Sequence, residues 1–319
     1  ERMITTVTLN AAVDKVLVVE RLVIGGVNRV RELTAEPGGK GNNVAKVARI
    51  LGADVTASGF LGGETGRFVH RQLTARGIVS DPVWIEGMTR EALAILDPAA
   101  ATQTEILEPG PFVDRKAWEE LCRKVGKLAG ESTIVCFSGS LPPGLEPDAY
   151  AELVKIARAR GALTFLDTSG EALVRGMESV PDFVKPNRDE IEQLAGTRIR
   201  DRQDIIETAR TYIRRGTRAF IVTLDEEGAL VVTGNGVWSV IPPRVKVVNT
   251  VGCGDAVVGG IACHLDRFDR GHVPDDGQIA DGLRMGVAAA ASNAGHLAGG
   301  YVDKAEYEKF LSEVALVSV

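Results

Sequence analysis

An aspartate directly behind a glycine-bracketed turn, Gly252-Cys253-Gly254-Asp255, carries the densest chemistry in this sequence of 319 residues. Val245, Val247 and Val248 lead into it as an extended run, and small apolar residues follow to Leu265. That is the pattern of a strand, a turn and a helix beginning near Asp255. Two glycines let backbone N–H groups face outward, and a helix N-terminus adds the positive end of its dipole, so the turn suits a phosphate or a developing anion. A carboxylate beside such a site repels the anion. Either Asp255 takes a proton from an attacking hydroxyl while neighbouring amides hold the transferred group, or it only caps the helix.

A second stretch, Gly38-Gly39-Lys40-Gly41-Asn42-Asn43, precedes a helix whose apolar face includes Val44, Val47, Ala48 and Leu51. Glycine permits close backbone approach, Lys40 adds a point charge for a phosphate, and Asn43 can bind hydroxyls. It is not a Walker A loop, because Gly41 stands where Ser or Thr is required and the spacing is absent. Asp14 follows the strand Met3–Leu9, at the strand end where α/β sheets collect ligands; it either bonds sugar hydroxyls or forms a turn.

The elements that must hold these residues can be read in order. Lys15–Val23 and Asn28–Thr34 alternate apolar and polar residues, and with Glu91–Leu96 and Thr104–Leu107 they would make a small separate sheet. Such a sheet would cover a site as a lid, spanning about residues 15–34 and 89–108, and pair with another subunit through its exposed face. Arg29 and Arg31 would then meet a negative ligand or remain solvated surface charges. From Arg115 onward helix and strand alternate, as in a doubly wound, mostly parallel α/β sheet flanked by helices. Strands end at Ser138-Gly139, at Asp167, at Lys185-Pro186-Asn187 and near Thr223, so binding groups would gather along one edge. One domain over 1–319 is expected.

Composition excludes several classes. With 45% hydrophobic and 25% charged residues the chain is not disordered, and a net charge of −6 argues against broad nucleic-acid or anionic-membrane binding. The four cysteines show no CxxC spacing, so neither zinc nor a disulfide framework is expected. The sequence shows no Lys/Arg-led apolar leader and no uncharged run of about 18 residues, so a cytoplasmic protein is expected.

Six ordered segments give a resemblance. Gly38-Gly39-Lys40-Gly41 with Asn43-Val44-Ala45, and Thr250-Val251-Gly252-Cys253-Gly254-Asp255, resemble the two signatures of the ribokinase-like PfkB carbohydrate kinases. Glu108-Pro109-Gly110-Pro111, Ser138 to Gly144, Asp167 to Ala172 and Lys185-Pro186-Asn187 resemble the phosphofructokinase and tagatose-6-phosphate kinase branch. The resemblance implies transfer from ATP, with Mg²⁺ and a monovalent cation such as K⁺ as possible helpers, to a hydroxyl of a phosphorylated ketose. It makes Asp255 the base, and the amides of Gly252, Cys253 and Gly254 the anion hole. It puts Asp14, Gly39 and Asn43 on sugar hydroxyls, Ser138 and Gly139 beside the substrate, and Lys40, Arg90 and Arg29 on the phosphate the sugar already carries. Lys185 and Asn187 would lie near the nucleotide phosphates, Glu190 near Mg²⁺ through them, and Thr223 and Gly228 near the nucleotide. The inserted sheet resembles the family's lid, which implies a homodimer.

The chain departs from the family pattern at Ala11, at Cys253 (usually Ala), at Ala256 (usually Ser), at Asp225 (usually Gly), and at Ala92 and Leu107, where the branch carries asparagines. Fructose 1-phosphate is the expected acceptor, ahead of tagatose 6-phosphate or fructose 6-phosphate. A kinase for an unphosphorylated sugar would leave Lys40, Arg90 and Arg29 without a counter-charge. A catalytically silent sensor would have no use for Asp255 behind its two glycines. A dinucleotide-binding oxidoreductase is weaker still, since Val257 stands where its fingerprint needs a third Gly or Ala.

Overall fold

The computed structural model describes residues 3–319, Glu226 by its backbone alone, so the first two residues of the expected 1–319 domain lie outside the described residues. In chain order the elements begin with β1 (Ile4–Thr8), β2 (Ala12–Val19), β3 (Val30–Gly38), α1 (Lys40–Ile50), β4 (Val55–Gly62) and α2 (Gly63–Ala75). Two short strands, β5 (Val79–Ser80) and β6 (Val83–Ile85), precede β7 (Arg90–Asp97) and β8 (Thr102–Leu107). Helix and strand then alternate through α3 (Arg115–Glu131), β9 (Ile134–Ser138), α4 (Ala149–Ala159), β10 (Leu163–Asp167), α5 (Gly170–Met177) and β11 (Phe183–Val184). Next come α6 (Arg188–Ala195), α7 (Arg202–Ile213) and β12 (Ala219–Thr223), and then the hairpin β13 (Ala229–Thr233) and β14 (Val237–Ile241). Helices α8 (Cys253–Leu265), α9 (Asp276–Ala294) and α10 (Lys304–Glu313) and strand β15 (Ala315–Ser318) complete the chain.

The main sheet runs β15-β14-β13-β12-β11-β10-β9-β1-β4-β5, with β6 also on β4. Strands β12 through β5 are parallel, and β13, β14 and β15 close one edge antiparallel. Side chains alternate between two cores, as a strand buried on both faces requires. Cys136, Phe165, Phe183 and Ile221 face the core built with α1, α2, α8, α9 and α10. Phe137, Leu166, Val184 and Phe220 face the core built with α3 to α7. Sandwiched this way, the sheet brings the C-terminal ends of β1, β9, β10, β11 and β12 to one edge. This is the expected α/β class. Among the described residues no helix is long and apolar enough to cross a membrane.

The second sheet is β3-β2-β7-β8, with β2 antiparallel to β3 but parallel to β7. Its strands differ from the expected bounds of 15–34 and 89–108. Strand β2 starts at Ala12 because Ala12 pairs on one side with Gly38 and on the other with Arg90, so Asp14 is held in a strand and not in a turn. Val16, Ala94 and Leu96 on one face pack with Val18, Val251 and Leu297, which seats the lid on the glycine turn before α8. The opposite face leaves Leu33 and Ile106 more than half exposed.

Candidate active site

Helix α8 begins at Cys253, with Gly252 as its N-cap at φ 82, a left-handed conformation that glycine alone takes without cost. A Cβ there would also sit 2.7 Å from the backbone nitrogen of Gly300. Asp255 therefore lies in the first turn, not at the cap, and its side chain makes no capping bond. Capping does not account for it. The amide of Cys253 donates to the Thr250 carbonyl at 3.2 Å, whereas the amides of Gly252 and Gly254 have no acceptor among the described residues. Of the three expected anion-hole donors, two remain available. Burial raises the Cys253 thiol to about 11, against the opposing pull of Asn293, so the thiol stays protonated and weakly reactive.

Asp255 is buried, and its Oδ2 accepts from Asn43 Nδ2 at 2.8 Å. Burial raises its carboxyl to about 6; Lys40 pulls it down, Asp167 pushes it up, and Asn43 and Lys185 pull it down further. Asn43 comes from α1, whose N-cap Gly39 also follows a positive φ. The carboxylate of Asp14 lies over the backbone of Gly38, where a Cβ would come within 2.0 Å of it, so this glycine is required by the close approach. Burial raises Asp14 as well, while Lys46, Arg90, the Gly39 amide and Asn43 offset part of the rise. Asp14, Gly39, Asn43, Arg90 and Asp255 thus share one neighbourhood. Arg90 gives Nε to the Asn10 carbonyl at 3.3 Å and Nη1 to that of Glu108 at 3.1 Å, tying β7 to the end of β1.

Lys40 Nζ, from the start of α1, lies 3.5 Å from Oδ1 of Asp167, and Lys185 Nζ, just after β11, lies 3.4 Å from it. Burial would raise Asp167, yet Lys185 and Lys40 outweigh it and hold its carboxyl below the ordinary value. Lys40 in turn is held charged, chiefly by Asp167, against burial and with help from Asp255 and Glu190. Ser138, beside Asp167 in register, is fully buried, and Gly139 sits near Lys40 and takes the hydroxyls of Tyr150 and Thr168 on its carbonyl. Asn187 and Glu190 cap α6 reciprocally, each side chain accepting the other's amide at 2.9 Å. Burial raises Glu190, and the Asn187 amide opposes this. Thr223 bridges to Asn187 at the adjoining strand end, while Gly228 turns at φ 88 against the Val240 carbonyl.

One expected residue is not brought in. Arg29 is exposed just before β3, and Val30 pairs with Val19, five residues along β2 from Asp14. At about 3.3 Å per residue that is roughly 17 Å from the cluster. Ala92 pairs with both Asp14 and Leu107, so the two family departures in the small sheet lie side by side next to Asp14.

The residues fit a magnesium nucleotide. Asp167 has only the long ion pairs to Lys40 and Lys185 and no closer partner, and a Cβ on Gly254 would lie 3.2 Å from Lys185 Nζ, so the glycine leaves the ammonium facing the start of α8. Lys40, Lys185 and the α8 amides would hold the phosphates. No group of three or more acidic, His or Cys ligands exists among the described residues, so magnesium would reach Asp167 or Glu190 mainly through phosphates and water, its usual mode.

Three contributors were given no individual role from the sequence. Asp167 was visible as a strand-end acid, the same signal that marked Asp14. Lys46, three residues after Asn43, gives its Nζ to the Gly299 carbonyl at 2.7 Å. Asn293 donates to the Val251 carbonyl at 2.9 Å and accepts the Gly300 amide at 2.8 Å, and nothing in the sequence distinguishes it.

A family model described as pfkB family carbohydrate kinase matches residues 5–302. Tagatose-6-phosphate kinase of Staphylococcus epidermidis is 35% identical over 320 residues, covering 99% of this chain and 100% of that protein. 1-Phosphofructokinase of Escherichia coli is 34% identical over 316 residues, covering 99% and 98%. Among solved structures, phosphofructokinase-2 of Escherichia coli in complex with potassium superposes with a TM-score of 0.89 at 27% identity, covering 98% of this chain and 99% of that one.

Proposed function

Because this chain belongs to the pfkB family of carbohydrate kinases, phosphotransferases acting on an alcohol group, we propose that it phosphorylates fructose 1-phosphate to fructose 1,6-bisphosphate. The observation that carries the reading is Asp255: buried, uninvolved in capping, and standing in the first turn behind two open glycine amides. Bound MgATP supplies the γ-phosphoryl group. Asp255 accepts the proton of the sugar hydroxyl, Asn43 orients its carboxylate, and Asp14 and Gly39 fix the neighbouring hydroxyls. The amides of Gly252 and Gly254 meet the charge that develops on the moving group, with Lys40 and Lys185 alongside. Ser138 and Gly139 line the floor between the two sides, and Asn187, Thr223 and Gly228 border the nucleotide. Arg90 and Lys40 take the phosphate already on the ketose. We also propose a monovalent cation as an activator, since phosphofructokinase-2 of Escherichia coli is solved in complex with potassium.

Tagatose 6-phosphate is the second reading, favoured by the near-equal identity to the two relatives. The test is ADP release with MgATP against fructose 1-phosphate, fructose 6-phosphate, tagatose 6-phosphate and the free sugars. Preference for one phosphorylated ketose sustains the reading and names the acceptor. Preference for a free sugar removes the phosphate role of Lys40 and Arg90, and binding without turnover makes the chain a sensor.

We also assign the protein to the cytoplasm as one domain with a lid, and infer a homodimer through the outer face of that lid. Leu33 and Ile106 stand opposite Leu17 and Leu93 on one face of the four strands, which also carries the Lys15–Glu91 ion pair. Leu33→Lys with Ile106→Lys should convert a dimer to a monomer in sedimentation; a wild-type monomer at working concentration refutes the assembly.

A further inference from the structure

A second cavity, of about 640 Å³, opens where α1 meets the loop between α9 and α10. Its size lies within the usual span of small-molecule sites, about 300–1,000 Å³. The charged groups on its wall are Lys46, Arg49, Arg76 and Lys304 against one carboxylate, Glu36. Arg76 gives Nη2 to Glu36 at 2.6 Å, and Arg49 gives Nη1 to the Ala53 carbonyl and to the largely exposed Asp54, both at 3.1 Å. Among the described residues, neither Lys46 nor Lys304 has a carboxylate at ion-pair distance. The wall therefore holds more positive charge than it compensates.

Lys46 makes the excess costly. It is 3% exposed and gives one of its three donors to the Gly299 carbonyl. Burial lowers its ammonium to about 8; Asp14, Glu36 and Asp255 hold the proton on, and Arg76 opposes them. A buried ammonium surrounded by further cations gains most from a multiply charged anion with several acceptor oxygens. Arg76 is held by Glu36 through Nη2 and by the Gln72 carbonyl and side chain through Nη1, so Arg49, with Nη2 unbonded among the described residues, supplies the guanidinium for a phosphate. Ile50 and Tyr301 add an apolar wall, which bare inorganic phosphate would leave unfilled.

We propose that this cavity binds the phosphate of a small phosphomonoester, and that occupancy reaches the cleft through Lys46. Lys46 shares the cavity wall with Glu36 and Arg76 and also feels the charge of Asp14. Its anchor, Gly299, belongs to the loop against which Gly252 packs, with Gly299 Cα 3.1 Å from where a Gly252 Cβ would lie. An anion drawing on Lys46 thus acts on the field at Asp14 and on the backing of the anion-hole glycine together. This site is independent of which sugar the cleft accepts.

Glycerol phosphate titrated calorimetrically into the full chain, without substrates, tests the site. Lys40→Gln should keep a binding event that Arg49→Gln with Lys304→Gln weakens at least tenfold. A cavity variant that binds like wild type overturns the proposal, as does loss of all binding in Lys40→Gln. Inorganic phosphate binding more tightly than the ester overturns the ester assignment. If the double variant fails to fold, Lys304→Glu, on an exposed residue, carries the same comparison. For the coupling, glycerol phosphate should change the acceptor KM at least threefold in wild type and not in the cavity variant. An equal response in both overturns it.

Discussion

On the acceptor side of the cleft, Asp255 is buried with a single amide donor, Asn43, against its carboxylate. On the lysine side, Asp167 is buried more deeply, between the ammonium groups of Lys40 and Lys185. Burial raises both, but only Asp167 has cations close enough to reverse the sign. Asp255 is left able to exchange a proton near neutrality, whereas Asp167 is a fixed negative charge holding two lysines in place. Same residue type, same cleft, different work: the neighbours within about 4 Å decide it.

The comparison can be broken most directly at Asp255. Asp255→Asn should lower kcat by about 10³-fold, inside the 10²–10⁴-fold span of general-base loss, with acceptor affinity nearly kept. Turnover within tenfold of wild type would remove the base. The same substitution at Asp167 should act on the fold: removing one partner of a buried ion pair costs about 3–5 kcal/mol, read by urea unfolding. Asp255→Asn should shift stability the other way. With a carboxyl near 6 in the folded chain against 3.8 unfolded, wild type has its full stability below about pH 4 and loses some as pH rises to 6. The Asn variant should then be more stable at pH 7 by about 3 kcal/mol, and no more stable at pH 4. Destabilisation by both substitutions at pH 7 would erase the distinction.

Finer measurements sharpen it. The log of kcat/KM should fall with unit slope below about pH 6. Lys40→Gln should move that limb upward, because the Lys40 ammonium pulls the Asp255 carboxyl down; an unmoved limb would separate the two sides electrostatically. The smallest effect is expected at Asp225, which holds φ 50 where the family usually has glycine. Asp225→Gly should stabilise the chain by roughly 1 kcal/mol and leave the nucleotide KM unchanged.

Much of this cleft was legible because its parts are local. Gly252 to Asp255 and Gly38 to Asn43 are contiguous, and turn chemistry with helix periodicity places them unaided. The strand alternation was equally plain in buried runs such as Ile134–Ser138. Other features were hidden for physical reasons. Helix α5 is short, α7 is dominated by polar residues, and β15 pairs only through the distant edge strand β14. Asp14 read as a sugar ligand or a turn residue, and its strand was hidden because the pairing partners, Glu36 and Ala92, are distant in sequence. Asn293 is defined by contacts about 40 residues away, with Val251 and Cys253, and by the amides of Gly300 and Tyr301 in the loop that follows its helix. Arg29 drew attention by charge alone, and register sets it apart.

The central pairing of the lid, Ala12 to Val18 with Arg90 to Leu96, has a consequence for the timing of synthesis. Asp14 leaves the ribosome early, Arg90 later, and Asp255 only near the end, and translation proceeds at about 5–20 residues per second. For tens of seconds the nascent chain holds Asp14 without Asp255 and without the glycine turn. On the proposed reading an unfinished chain has no means of consuming a nucleotide, and chemistry would begin only once α8 has docked on α1.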